Sequence, residues 1–232
     1  MQSEISSNNQ PTESDDLMVL ITHDGSPTLL NKNLNETYHS RHGAQQESMH
    51  VFIHAGLMQV PNDPLHILEI GFGTGLNATL TALHSGNRTV HYTELEPNPV
   101  NIALLHQLQY FSEPKELQFH TDIIQADFDI ITILFSQFHL QKLKVKIQDF
   151  ATEEKYHLIY FDAFAPMVQP ELWTQEIFSR LFSMMDEKGI LVTYCAKGQV
   201  RRNMIEAGFS VERIAGPPGK REMLRARKNG CQ

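Results

Sequence analysis

Ile67-Leu68-Glu69-Ile70-Gly71-Phe72-Gly73-Thr74-Gly75-Leu76-Asn77 joins a short apolar run that begins at Leu65 to a helical stretch that reaches Ser85. Three glycines at alternate positions let the backbone bend sharply and let a ligand approach where a Cβ would otherwise stand. Reading outward from this bend, strand-like and helix-like segments alternate. Val90 to Glu96 reads as a strand and Pro97 to Tyr110 as a helix; a helix is expected over Ile131 to Phe138 in the segment that follows. Strands are expected at Leu143 to Ile147, His157 to Phe161 and Gly189 to Tyr194, with helices at Gln169 to Met185 and Gln199 to Ala207. Two closing strands, Ser210 to Ile214 and Glu222 to Arg227, are joined by Gly216-Pro217-Pro218-Gly219-Lys220 with no helix between them. This pattern predicts an α/β fold: a mostly parallel seven-stranded sheet, covered on both faces, with an antiparallel C-terminal edge.

Upstream of the sheet, residues 1–16 are polar and acidic and read as a disordered tail. A small extension over 17–60 is expected next. It would hold a hairpin from Met18 through Asp24-Gly25-Ser26-Pro27 to Leu30, then a polar patch from Tyr38 to Ser48 and a helix from Ser48 to Leu57. Residues 61–232 form the main domain in this reading. With 232 residues, 41% of them hydrophobic, one sizeable core is the default. Two cysteines are too few for a disulfide framework or a cysteine zinc site. Neither a membrane-length apolar run nor an N-terminal secretory pattern is found, so a cytoplasmic protein that does not enter the membrane is expected. The net charge of −8 argues against indiscriminate nucleic-acid binding. Residues 197–228, however, carry nine Lys or Arg against three Glu, a basic edge on an acidic body that suits a short stretch of phosphate backbone.

The bend itself narrows the ligand. A pyrophosphate-binding turn follows GxGxxG or GxGxxA, whereas this one reads GxGxG with Leu76 in the sixth position. Glu69, just before the glycines, suits a ligand with an amino group. The methionyl end of S-adenosylmethionine fits that description better than a diphosphate does. Gly71, Gly73, Gly75, Glu69 and Asn77 are therefore candidate cofactor residues. The second strand ends in Glu94-Leu95-Glu96, and a carboxylate at this tip can accept from ribose hydroxyls; Glu96 is preferred to Glu94. At the third tip, Asp149 is expected to accept from an adenine amino group and Phe150 to pack on the ring. No metal-ligand spacing is present.

The fourth strand runs into Asp162-Ala163-Phe164-Ala165-Pro166, where the residues facing a methyl acceptor would stand. The absence of a cysteine at this tip favours a nitrogen or oxygen acceptor over pyrimidine carbon. Cys195 reads as a small buried filler. Asp162-x-Phe164-Ala165-Pro166, the early Gln46-Glu47-Ser48, and the late Val200-Arg201-Arg202 and Gly219-Lys220-Arg221-Glu222-Met223-Leu224 occur in one order. From Tyr38 to Arg227 the chain thus resembles the tRNA 5-methylaminomethyl-2-thiouridine methyltransferases of the MnmC/MnmD type. The resemblance implies a Rossmann-like class I methyltransferase that uses S-adenosyl-L-methionine and places Gln46 on the cofactor. It further implies tRNA, through its anticodon stem-loop, as partner. Members are often fused to a flavin-dependent oxidase; the length implies a stand-alone form without it. One departure is Gly216-Pro217-Pro218-Gly219, where fused members tend to carry a phenylalanine before Lys-Arg.

The acceptor so implied is a primary amine. With a free carboxylate near pKa ~4, Asp162 would be a poor base and is expected chiefly to orient the amine. Phe164 and Tyr38 are expected to stack on the flipped-out uracil, and Arg201, Arg202, Lys220 and Arg221 to meet anticodon-stem phosphates. His39 and His42 are expected to be exposed. Two other readings share the pattern. An aminopropyltransferase of the spermidine-synthase type would require a second acid beside Asp162, and the sequence offers none nearby before Glu171. A non-catalytic RNA-binding module would have no need of Glu96, Asp149 and Asp162.

Overall fold

The computed structural model describes residues 16–230; the tail expected over residues 1–16, apart from Asp16, and Cys231 lie outside them. The chain opens with β1 (Leu17–Ile21) and β2 (Pro27–Asn31), paired antiparallel, to which β3 (Glu36–Thr37) adds. Asp24 closes the tight turn: its Oδ1 accepts from the Ser26 N–H at 3.0 Å and from the Thr22 hydroxyl at 2.7 Å. A helix follows, but four residues earlier than expected. Its α-helical part, α1 (Ala44–Ser48), runs directly into a wider π-helical turn, Met49–His54, which buries Val51, Phe52 and Ile53.

The main sheet holds β4 (Leu65–Ile70), β5 (Val90–Leu95), β6 (Ile131–Leu134), β7 (Phe138–Leu143), β8 (Tyr156–Phe161), β9 (Met185–Thr193), β10 (Ser210–Ala215) and β11 (Glu222–Arg227). Its order is β10-β11-β9-β8-β4-β5-β7-β6. The five central strands are parallel, and β11 and β10 form the expected antiparallel edge. The sheet has eight strands rather than seven, because β6 pairs antiparallel with β7 and makes a second such edge. The helix expected over Ile131 to Phe138 is thus a hairpin. Ile130, Ile131, Thr132 and Ile133 are β-branched and sit better on a pleated strand than in a helix. Phe135 and Ser136 take positive φ at its turn.

Other boundaries move for local reasons. Pro97 to Tyr110 holds only the short α3 (Ile102–Leu105), because Pro97 and Pro99 keep the preceding residues extended and Asn101 caps the helix by accepting from the Ala103 N–H. An amphipathic helix, α4 (Pro114–Gln125), occupies the segment left unread, with proline in its first turn and His120, Ile123 and Ile124 inward. The third parallel strand is β7 and ends at Leu143, so the strand expected at Leu143 to Ile147 is a segment leaving the sheet. Pro170–Leu172 forms a separate 3₁₀ turn, and α5 (Gln175–Met184) starts only after Thr174, whose hydroxyl accepts from the Ile177 N–H.

The sheet separates two apolar layers. On one face Ile67, Tyr92, Leu158 and Tyr160 pack with Phe52 and with α2 (Leu76–His84). On the other, Leu68, Ile159 and Phe161 pack with Trp173, Phe178 and Leu181 of the α5 region and with Met204 of α6 (Gly198–Glu206). The N-terminal segment shares the first layer, with Leu29, Ala44 and Val51 fully buried in it. At roughly 1.5–3 kcal/mol for each large buried apolar side chain, these two layers hold the parallel strands in register. That register sets β4, β5 and β8 side by side with their C-terminal tips together.

Candidate active site

The tips of β4, β5 and β8 border a cavity of about 600 Å³, closed on its outer side by Tyr38, His39, Glu47 and Lys220. A second hollow of about 620 Å³, lined by Lys188, Arg227, Lys228, Asn229 and Gly230, carries no strand-tip group.

The glycine bend forms one wall of the first cavity. At Gly71, φ is +92°, and a Cβ there would lie 2.8 Å from the Asp162 carbonyl oxygen. At Gly73, φ is +54°, and a Cβ would press on the Tyr38 ring at 3.1 Å. No other residue type fits this approach of β4 to β8. Gly75 directly precedes α2.

Glu96 lines the cavity and accepts from the Gly73 N–H at 3.3 Å and the Asn98 N–H at 3.0 Å. Burial raises its pKa, and the two backbone donors oppose that. Glu94 is elsewhere: it is fully buried, neither oxygen has a hydrogen-bond partner among the described residues, and burial raises its pKa well above the ordinary carboxylate value. Glu69 is also fully buried and lies beneath the cavity instead of lining it. Its oxygens accept from the Asn77 amide at 2.9 Å and the Tyr92 hydroxyl at 2.8 Å, and burial lifts its pKa to about 8. The same Asn77 nitrogen donates to Asp162 Oδ2 at 2.8 Å, so one amide ties the β4 acid to the β8 acid.

Asp162 reaches the cavity floor. Burial, and next the charge of Glu47, push its pKa to about 7. The sequence reading gave Asp162 an ordinary carboxylate and hence little basicity; its surroundings move its pKa toward neutrality instead. Phe164 and Tyr38 face the cavity as an edge-to-face pair, their rings 5.0 Å apart. Gln169 and Trp173 fix the Phe164 backbone: its N–H donates to Gln169 Oε1 at 3.1 Å, and its carbonyl accepts from Trp173 Nε1 at 2.8 Å.

Several expected site residues lie apart. Asp149 is exposed and outside the cavity lining, and Phe150 is buried in the second apolar layer. With β7 ending at Leu143, the wall beside Leu95 and Pro97 is made instead by Val145, Ile147 and Gln148. Gln46 is exposed, its backbone N–H given to Asp24 Oδ2; the neighbouring Glu47 enters the cavity because α1 turns that face inward. Lys220 points inward too, pairing with Glu47 at 2.7 Å rather than meeting solvent phosphate. His39 is buried between Thr28 and Thr74, and burial drops its pKa to about 4, whereas His42 is exposed as expected. Arg201, Arg202 and Arg221 are not among the residues that line the cavity, and Arg202 and Arg221 are exposed; Arg202 donates to Gln199 at 2.7 Å. Sequence reasoning did not assign Glu47, Tyr194 or Gln169 to the site; Glu47 and Tyr194 enter it through partners distant in sequence, Lys220 and Ala163, and Gln169 through the nearby Phe164 N–H.

A Cβ-free bend that leaves room for a ligand, a carboxylate at the second strand tip and an apolar wall beside it suit the amino-acid, ribose and base parts of S-adenosylmethionine in turn. Residues 112–229 match a family described as S-adenosyl-L-methionine-dependent methyltransferase. The chain belongs to this family. Its cofactor is S-adenosyl-L-methionine.

The methyltransferase is 27% identical over 222 residues to the tRNA 5-methylaminomethyl-2-thiouridine biosynthesis bifunctional protein MnmC of Methylobacillus flagellatus, covering 87% of this chain and 34% of that protein. The chain thus spans about a third of the length of the curated relatives it matches. It superposes on MnmC2 from Aquifex aeolicus with a TM-score of 0.79 at 25% identity, over 96% of this chain and 75% of that one. Spermidine synthase from Thermotoga maritima shares the fold alone, with a TM-score of 0.57 at 13% identity over 94% of this chain and 70% of that one. The resemblance drawn from the separated motifs is therefore borne out as similarity over most of the chain. Among the described residues no helix is long and apolar enough to cross a membrane, and no group of three or more potential metal ligands comes together.

Proposed function

We propose that this methyltransferase acts in the cytoplasm on the wobble uridine of tRNA, converting its 5-aminomethyl group to methylaminomethyl. The observation that carries the proposal is Asp162, a half-buried acid held by Asn77 in the same cavity as the glycine bend and Glu96. Similarity to proteins named for 5-methylaminomethyl-2-thiouridine biosynthesis supports the substrate class.

When bound, S-adenosylmethionine supplies an electrophilic methyl on a sulfonium and leaves as the neutral thioether. The protein must hold the amine in line with that methyl and relieve it of a proton. Moving a proton from an amine of pKa ~10 to a carboxylate near 4 is uphill by about 8 kcal/mol; to one near 7, by about 4 kcal/mol. Burial of Asp162 therefore removes roughly half of that obstacle. Gly71 and Gly73 take the amino-acid end of the cofactor, and Glu96 takes the ribose hydroxyls. Tyr38 and Phe164 offer aromatic faces and edges to the splayed uracil. Arg201, Arg202 and Arg221 provide phosphate contacts for the anticodon stem-loop, with affinity that falls as salt is added. In this reading residues 61–232 carry the cofactor, and the 17–60 segment supplies Tyr38 to the acceptor side.

The test is incubation with methyl-labelled cofactor and tRNA from cells lacking the wobble methylation, followed by nucleoside analysis. Label in methylaminomethyl uridine is expected; label elsewhere, or none, removes the assignment. Aminopropyl transfer is the second reading. Glu47 gives Asp162 the nearby acid that the sequence did not offer, and the fold is shared with a spermidine synthase. Decarboxylated cofactor with a diamine should give no product if the first reading holds.

A further inference from the structure

Glu47 enters the chemistry just described only through the effect of its charge on Asp162, yet it is itself only 7% exposed and lines the cavity. Both of its oxygens are engaged. Oε2 accepts from the Ser40 backbone N–H at 2.7 Å, which fixes the carboxylate against the loop before α1. Oε1 accepts from Lys220 Nζ at 2.7 Å. The same ammonium lies 3.9 Å from the centroid of the Tyr194 ring, and the Tyr194 hydroxyl donates at 2.9 Å to the carbonyl of Ala163, the residue after Asp162. A carboxylate below and an aromatic face above are the groups that recognise a primary ammonium. A lysine of the chain itself fills this arrangement at the acceptor end of the cavity.

We propose that Glu47 and the Tyr194 ring form the seat for the acceptor's ammonium, and that the Lys220 ammonium occupies this seat until the acceptor displaces it. The inference rests on the amine acceptor assigned above and adds the residues that select it. Glu47 is suited to stay: it sits on α1 and is held by Ser40. Lys220 is suited to leave. Its side chain is one-third exposed, and it belongs to the loop between β10 and β11, so its ammonium can return to water. An exchange of one ammonium for another keeps the nearly buried carboxylate paired throughout, which avoids the cost of an isolated buried charge. Selectivity follows from the same geometry. A uridine side chain ending in a neutral group cannot replace Lys220, and one ending in a carboxylate is repelled by both Glu47 and Asp162.

Benzylammonium, a primary ammonium on a flat ring, is a suitable probe in an NMR titration of protein saturated with S-adenosylhomocysteine. Lys220→Met should bind it about tenfold more tightly than the native protein, since the internal competitor is gone. Glu47→Gln should bind it at least tenfold less tightly, with S-adenosylhomocysteine affinity unchanged within about twofold. Equal or weaker binding by Lys220→Met, or native-like binding by Glu47→Gln, overturns the proposal. If Glu47→Gln does not fold, Lys220→Met decides alone. Tighter benzylammonium binding by Lys220→Met in a protein that leaves aminomethyl tRNA unmethylated would overturn the tRNA assignment and leave the seat standing.

Discussion

The parallel strands carry polar groups at both ends, and the two ends use them differently. At the C-terminal tips stand Glu69, Glu96 and Asp162, joined through Asn77 and the Gly73 N–H to one cavity. Near the N-terminal starts, His157, His66, His91 and His139 form a row across β8, β4, β5 and β7. The rings of His66 and His91 stack at 4.6 Å, those of His91 and His139 lie tilted at 4.6 Å, and His157 meets His66 edge-on at 5.6 Å. Burial favours the neutral form at both ends: it raises the pKa of Glu69 and Asp162 and lowers that of His66, His91 and His157. What separates the ends is convergence. The acids are drawn toward one cavity by shared donors, whereas the histidine rings contact one another and line neither cavity. Four titratable side chains in a row do not make a site; donors that aim several groups at one volume do.

Removing the acid that reaches the cavity should break the C-terminal end most severely. Asp162→Asn keeps the shape and an oxygen for Asn77, yet loses the proton acceptor. Turnover should fall by about 10²–10⁴-fold while cofactor affinity stays within about twofold, as read by single-turnover kinetics and calorimetry. Equal turnover would take Asp162 out of the chemistry.

Glu69 sharpens the comparison through stability. Its folded pKa of about 8 lies above the ordinary value of 4.5, so the folded state holds a proton that the unfolded chain gives up. Stability from this group is complete below about pH 4.5 and is lost as pH rises toward 8. Glu69→Gln, which cannot ionise, should therefore gain on the native protein by roughly 2–4 kcal/mol between pH 4.5 and 8.5 in urea titrations. A difference that is flat with pH would mean that Glu69 is already ionised in the fold.

The histidine row should give the smallest effect, of opposite sign. His91 is held below its usual 6.5 first by burial and then by His66 and His139, so the unfolded chain takes up a proton more readily. Stability from this group is present above pH 6.5 and is lost as pH falls. His91→Gln should lessen acid destabilisation between pH 6.5 and 5 by less than about 1 kcal/mol, and leave cofactor affinity unchanged. A loss of cofactor binding would tie the two ends of the strands together after all.

Much of this site was legible before any fold was drawn. Gly71, Gly73, Glu96 and Asp162 stand where an apolar run stops and a turn begins, and parallel strands bring such positions together. The third tip was misread because the alternation of apolar and polar residues from Phe138 to Ile147 shows no internal boundary; β7 ends at Leu143, and Asp149 and Phe150 lie off the cavity. The helix α4 went unread since its inward face is only His120, Ile123 and Ile124 among polar neighbours. Glu47 and Gln46 could not be told apart, since which of two adjacent residues faces inward depends on how α1 lies over the sheet.

Local pattern, then, determined the α/β alternation, the bend and the acids at two strand tips. Backbone conformation and burial periodicity are properties of neighbouring residues, so they can be read from order alone. The tertiary structure decided how those acids titrate, and which cation meets which carboxylate. Burial and the charge of Glu47 lift the Asp162 carboxyl to about 7, and Lys220 reaches Glu47 across 173 positions of chain. Electrostatics depends on distance through space and on exclusion of water, and neither is written in the order of the residues.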